Sequence, residues 1–361
     1  MKLFCKIVLL LLLTICSANL SAENFAKPFY GIAYNIHLRT AIANSLCGAY
    51  TALVNDVSAV YWNPAALALI EDIELLTSVT YTKKEIDDKY DPVFFSVIGL
   101  PTNIGYFALN YYQDNDDVKY SIYSDYYGTY EFDYEINEEK LGLSYSTTIS
   151  KNLSFGITGN YYSVSRTYGE LSTGYEHTYM INYGIHYSLY DENNIRLSFV
   201  HRNLGKNVEM KFYLDDDDDG QFDEDPFDLL DNDGDGLIDE DREESPFLVK
   251  LKEHLSFGAA VDVYKYNDFI FTLALQLDRL RDNSFYEKQP TTFAMGAEIT
   301  DGTLFFRTGI SLNERQNRFG VGFGYNINLR EMNLRPDVGF QIRMEEADYN
   351  ELLSASVLLQ F

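Results

Sequence analysis

The sequence predicts an all-β protein: a transmembrane antiparallel β-barrel of about 14 strands with an N-terminal plug segment. Three observations point there. From residue 73 onward, segments of about ten residues alternate apolar with small or polar side chains; the connections between them alternate short and long; and the chain closes on a strand-like run ending in Phe361. Composition agrees, with 30 Tyr, 24 Phe and only 8 Pro in 361 residues, because aromatic side chains suit a pleated, half-buried face and a membrane interface. A net charge of −27, from 28 basic against 55 acidic residues, argues against nucleic acid or an anionic membrane surface as partner.

Residues 1–22 read as an export signal, with Lys2 and Lys6 at the positive end, an apolar core from Ile7 to Ile15, and Ser21-Ala22 at the cleavage site. Cleavage after Ala18 is the alternative. A lipid anchor on Cys16 is disfavoured because Ile15 stands where a small residue is needed. With Cys5 and Cys16 removed, Cys47 is the remaining cysteine and no intrachain disulfide can form. No later stretch reaches the 18 or so apolar residues of a spanning helix.

Residues 23–72 precede the strands, behave differently and are read as an N-terminal plug or hatch, with its most telling part at 48–70. The stretch 48–70, GAYTALVNDVSAVYWNPAALALI, lacks period-2 alternation, and its Asn63-Pro64 step interrupts any helix, since Pro64 has no N–H and pushes Asn63 out of the helical region. It reads as a compact plug inside the barrel formed by residues 73–361. Asp56 and Asn63 suit turn or cap positions, and Tyr61 and Trp62 suit packed aromatics.

Fourteen strands fall near residues 73–82, 92–100, 103–112, 138–149, 152–166, 175–190, 193–203, 251–264, 268–280, 291–300, 303–312, 317–328, 334–344 and 351–361. Phe269, Phe271, Leu273, Leu275 and Leu277 alternate with Thr272, Ala274, Gln276 and Asp278. A soluble sandwich buries such an apolar face, whereas a membrane barrel turns it to lipid and keeps the polar face inside. The even-numbered connections up to the tenth are tight, Asp301-Gly302 being a standard hairpin dipeptide; the odd-numbered ones are longer, about 25 residues in the third and over 45 in the seventh. Short turns on one side and long loops on the other are the pattern of outer-membrane barrels. Gly320, Gly322 and Gly324 leave one inward face without side chains. Either they make room for residues 48–70 or they relieve strand curvature.

The seventh connection contains an acidic insertion, residues 212–245. Within it, residues 215–244 hold 17 acidic side chains and one basic one, Arg242. Asp231, Asp233, Asp235, the backbone carbonyl of Leu237 and Asp239 occupy calcium-loop positions 1, 3, 5, 7 and 9, with Gly236 at the turn. Asp215, Asp217, Asp219, Gln221 and Asp223 repeat the arrangement sixteen residues earlier. Pro226 and Arg242 stand where an EF-hand places its bidentate Glu, so both loops look more like the aspartate-rich loops of extracellular modules. The expected cofactor is structural Ca2+; the competing reading is a solvated acidic surface. No nucleophile elbow, zincin motif, P-loop or dinucleotide fingerprint occurs, so no enzymatic activity is expected.

The plug stretch also resembles a known family. Gly48, Ala49, Thr51, Ala52, Leu53, Asp56, Ser58, Ala59, Tyr61, Asn63, Pro64, Ala65 and Leu67 match the N-terminal signature of the FadL and PorV/PorQ outer-membrane proteins, with Trp62 inside the run and Ala66 departing from the commoner glycine. The resemblance implies the outer membrane of a Gram-negative-type bacterium, with its lipid bilayer as surroundings and barrel-assembly machinery reading the terminal strand at Phe361. A PorV/PorQ-type protein would act in type IX-like secretion and handle secreted cargo proteins; modest size and polar inward faces favour this reading. The alternative is a FadL-like channel for hydrophobic small molecules, and a structural or adhesive surface barrel is a third.

Overall fold

The structure, a computed structural model, describes residues 40–83, 90–124, 128–168, 172–189, 194–205, 208–210, 247–249, 253–281, 291–313, 317–330, 332–344 and 349–361. The export signal and the acidic insertion, with every calcium-loop residue from Asp215 to Asp239, lie outside the described residues.

The strands are β1 (Glu74–Lys83), β2 (Tyr90–Thr102), β3 (Gly105–Ser124), β4 (Gly128–Ser150), β5 (Leu153–Tyr168), β6 (Ser172–Leu189), β7 (Ile195–Gly205), β8 (Val208–Met210) and β9 (Phe247–Val249). They continue as β10 (Glu253–Tyr266), β11 (Phe269–Arg281), β12 (Thr291–Thr300), β13 (Leu304–Leu312), β14 (Asn317–Tyr325), β15 (Ile327–Leu329), β16 (Met332–Met344) and β17 (Tyr349–Gln360). All but β8 and β9 form one antiparallel sheet. It closes where β17 pairs with β1, from Glu74↔Gln360 to Thr82↔Leu352. β14 and β15 lie end to end along β16, interrupted at Asn326, whose N–H bonds to the carbonyl of Thr303. Counted together they make a closed barrel of fourteen strands. β8 and β9 form a separate two-stranded ribbon flanking the acidic insertion.

Closure follows from the sequence alternation. Phe257, Leu143 and Leu353 face outward and are about half exposed or more, while Ser144, Ser256, Gln276 and Ser354 on the inner face are buried. This inverts the arrangement of a soluble protein, and only hydrocarbon around the barrel removes the cost of so much exposed apolar surface. A closed sheet leaves no edge, so its backbone donors and acceptors are satisfied without water. The protein is an outer-membrane barrel.

The tight turns bear out their chemistry. Gly302 sits at φ 83°, and the Asp301 carboxylate accepts from the N–H groups of Thr303 and Leu304 at 2.9 and 2.7 Å. Asn267, in the turn between β10 and β11, takes φ 51°. The third connection needs correction. Instead of a loop of about 25 residues, β3 and β4 continue pairing from Tyr112↔Lys140 to Ser124↔Gly128. In the sequence Tyr130, Phe132, Tyr134 and Ile136 alternate with Glu131, Asp133 and Glu135, but in the opposite phase to Leu141, Leu143 and Tyr145, so the run does not read as a continuation of the lipid-facing strand.

Candidate functional site

Residues 40–70 are held inside the barrel, and almost every side chain is buried. Locally the segment is a chain of short elements. Thr40 caps a helix over Ala41–Ser45, accepting from the N–H of Ala43. Cys47 and Gly48 at φ 50° and 88° end it, and Gly48 N–H returns to the carbonyl of Ala43 at 3.0 Å. Asp56 Oδ1 accepts from the N–H and the hydroxyl of Ser58, opening a helix over Ala59–Trp62. Asn63 then leaves helical geometry at φ −160° and caps the 3-10 helix Pro64–Leu69 through the N–H of Ala65. Pro64 occupies the first helical position, where its missing N–H costs nothing.

Such broken secondary structure leaves many backbone groups without local partners, and the wall supplies them. Ser356 Oγ accepts from Ala41 N–H at 2.8 Å, and Gln341 donates to the carbonyl of Asn44 at 3.1 Å. Gln276 Oε1 accepts from the N–H groups of both Tyr50 and Thr51, at 3.1 and 2.9 Å. Ser146 and Ser154 both donate to the carbonyl of Ala65, and Thr158 donates to that of Val60. Asn63 reaches the carbonyl of Thr51 and the hydroxyl of Ser198.

Between these contacts the wall offers glycine. A Cβ on Gly339 would strike the backbone of Ala41, one on Gly309 that of Leu46, and one on Gly156 that of Pro64 and Ala65. Gly320 and Gly322 likewise face the plug, but against Asn44 and Ser45, N-terminal to the 48–70 stretch expected there. Gly324 faces Asp337 and Arg307 instead. The reason is the path of the chain: residues 41–52 follow the wall past β16, β14, β13, β12, β11 and β10, so β14 meets the segment near its start.

One plug residue is held by charge. The fully buried carboxylate of Asp56 pairs with Arg335 Nη2 at 2.7 Å and accepts from the Tyr50 hydroxyl at 3.1 Å. Arg335 Nε reaches Asp337 at 3.0 Å; Arg307 bridges Asp337 and Glu298, both at 2.6 Å. Nearby, Glu74 accepts from the N–H of Val57 and from the Gln360 amide, both at 2.7 Å. Glu298, Arg307, Arg335, Glu74 and Gln360 all lie near the short-turn ends of their strands, which locates this latch on the periplasmic side.

A second cation supports the aromatic pair. The Arg202 guanidinium lies 5.2 Å from the Tyr61 ring and 5.5 Å from that of Trp62, and it bonds Ser256 and, at 3.3 Å, Asp278. Trp62 is buried edge-on against Tyr50 and Tyr61, with its indole N–H unpartnered. Above Tyr61 the wall forms a recess from Asn110, Lys140, Asn160, Met180, Asn182 and Asn203. Cys47 is enclosed against the carbonyl of Gly309, and burial pushes its thiol up to about 11, so it is not a reactive thiolate. Phe361 faces outward at the barrel rim, its N–H bonded to the carbonyl of Ile73. Among the described residues no cluster of His, Cys, Asp or Glu is arranged to hold a metal.

Asp56 was legible as a turn residue, but its partners were not. Arg307 shares the inward face of β13 with Phe305, Gly309 and Ser311, and Arg335 and Asp337 share that of β16 with Gly339, Gln341 and Arg343. Charged residues at inward period-2 positions were the available signal.

No family model matches the chain, and no curated protein does. Solved structures do. The Ralstonia pickettii toluene transporter TbuX superposes with a TM-score of 0.60 at 12% identity, covering 91% of this chain and 99% of its own. The Pseudomonas putida toluene transporter TodX gives 0.58 at 12% identity, with 91% and 99% covered. A Pseudomonas aeruginosa FadL homologue gives 0.56 at 12%, with 90% and 98% covered. The chain has their fold. That fold is the FadL-type barrel, in agreement with the broader half of the resemblance read from residues 48–67.

Breaking the latch tests its weight. Asp56→Ala leaves Arg335 buried beside the gap, and removing one partner of a buried pair costs about 3–5 kcal/mol; urea titration in lipid vesicles should show that loss, with residues 40–70 becoming protease-sensitive. Asp56→Leu combined with Arg335→Met should recover most of it, and equal loss in the double variant would rule out charge as the fastener.

Proposed function

We propose that this protein is an outer-membrane uptake channel in which residues 40–70 govern the passage of small molecules. The observation that carries the reading is the seating of the plug. It touches the wall around the whole circumference through glycine faces, side-chain hydrogen bonds and the Asp56–Arg335 ion pair, so it closes the lumen without being part of the sheet. The fold shared with hydrocarbon transporters supports the channel alternative over handling of secreted proteins, and it favours a transporter over an enzyme. An apolar solute is the substrate class suggested by those neighbours.

The aspartate-rich insertion is proposed to bind Ca2+ through Asp231, Asp233, Asp235, the Leu237 carbonyl and Asp239, and through the parallel set beginning at Asp215. What supports this is the spacing of hard oxygens around Gly236 and Gly220, together with the β8–β9 ribbon that brings the two ends of the insertion side by side. The ion would stiffen an external loop and take no part in passage.

Two measurements follow. In vesicles containing lipopolysaccharide, the reconstituted protein should admit small solutes, toluene among them, faster than protein-free vesicles. Equal rates, with exported proteins recovered on native purification, would transfer the assignment to secretion. Calorimetric titration of the full chain should show Ca2+ binding in the range of about 10⁻⁴ to 10⁻³ M, abolished in the second loop by Asp231→Asn with Asp233→Asn. An unchanged isotherm would leave only a solvated acidic surface.

A further inference from the structure

Two turns of the plug, at Tyr50–Thr51 and at Tyr61–Asn63, meet the wall at one place, on the inward faces of β7, β10 and β11. They are joined to each other directly. Asn63 Nδ2 donates to the carbonyl of Thr51 at 3.2 Å, and the Tyr50 and Trp62 rings meet edge to face at 5.8 Å. The wall joins them a second time, through Arg202 on β7, Ser256 on β10, and Gln276 and Asp278 on β11. The ladder sets Ser256 opposite Asp278 and Gly258 opposite Gln276.

This second connection runs from aromatic rings to plug backbone. The Arg202 guanidinium lies over Tyr61 and Trp62, and its Nη2 donates to Ser256 Oγ and, at 3.3 Å, to Asp278 Oδ1. Its Nε and Nη1 have no hydrogen-bond partner, so its hold on the plug is through the two ring faces. Ser256 Oγ donates to the same carboxylate oxygen, and the other one, Oδ2, accepts from Gln276 Nε2 at 2.8 Å. An amide whose nitrogen is held by a carboxylate turns its oxygen the opposite way, and Gln276 Oε1 accepts from the N–H groups of Tyr50 and Thr51. With the amide reversed, its NH2 would face two N–H donors. A Cβ on Gly258 would stand 3.0 Å from the nitrogen of Ala52, so the glycine is what lets the plug backbone come within reach of Gln276.

The contacts therefore close on themselves, from the rings through Arg202, Asp278 and Gln276 to Thr51, and through Asn63 back to the rings. Arg202, Ser256 and Gln276 are 3%, 0% and 1% exposed, so no water stands ready to replace a lost partner, and each link depends on the next. We propose that Arg202 is a positioning residue for plug movement: by fixing Asp278, and through it the Gln276 amide, it makes the two turns leave the wall together. This rests on the channel reading and deepens it, because a solute that displaces the Tyr61–Trp62 pair then also frees the backbone at Tyr50 and Thr51.

The test follows amide hydrogen exchange of the full chain in detergent, read by mass spectrometry at Tyr50 and Thr51, with Ala41, whose N–H bonds to Ser356 on β17, as the internal control. Arg202→Met should speed exchange at Tyr50 and Thr51 about tenfold and leave Ala41 unchanged, although Arg202 bonds to neither amide. Coupling between two sites is reciprocal. Gln276→Met, which removes no contact to either ring, should therefore open Trp62, the single tryptophan of the sequence, to quenching by acrylamide, and this variant carries the test if Arg202→Met fails to assemble. The double variant should exchange no faster than the faster single one. Unchanged exchange at Tyr50 and Thr51, an equal rise at Ala41, unchanged quenching of Trp62, or single effects that multiply in the double variant would overturn the proposal. Any of these with toluene entry into vesicles intact leaves the channel reading standing. The expected pattern with entry no faster than in protein-free vesicles would keep the coupling and remove the channel.

Discussion

An irregular polypeptide enclosed in a barrel must satisfy its N–H and C=O groups without water, and that constraint organises this molecule. Helical segments of four to six residues cannot do so alone. The inner wall therefore carries serine, threonine and glutamine where the plug needs a partner and glycine where its backbone must come close. A bulky apolar residue at Gly309 or Gly156 would be harmless to an empty barrel and incompatible with a seated plug. Gly156, Gly309, Gly320, Gly322 and Gly339 thus stand where the plug comes close to the wall.

Two polar systems occupy opposite sides of that plug. On the short-turn side, Asp56 joins an alternating chain of acid and base through Arg335, Asp337, Arg307 and Glu298. Such a chain is sensitive to the loss of any member, which suits a fastener. On the long-loop side the inner wall carries the amides of Asn110, Asn160 and Asn182 beside Lys140. Tyr61 and Trp62 stand between the two, backed by Arg202.

Much of the fold was legible because lipid forces a strict period-2 pattern on the strands, and because Asp301-Gly302 and similar pairs mark the tight turns. The limits of that legibility have the same origin. Between residues 129 and 137 the alternation runs in the opposite phase to Leu141, Leu143 and Tyr145, so a hairpin read as a loop. Within the plug read as residues 23–72, residues 41–47 carry no motif of their own, and the wall glycines they cover reveal their place. Asp56 and Asn63 stood out through local turn chemistry. Their long-range partners, Arg335 at 279 residues' separation and Ser198 at 135, leave no local trace, because closure of a barrel places residues together by strand order rather than by spacing.

For a solute to pass, the plug must yield. The most direct measurement ties it to the wall. Asn44→Cys and Ser354→Cys, at side chains that touch across the plug and β17, in a Cys47→Ala background, allow a reversible cross-link, and solute entry into vesicles is followed before and after reduction. Entry suppressed while the link is closed and restored when it is reduced is the predicted result. Equal entry in both states would contradict the account, since solute would then cross by a route that the plug does not control.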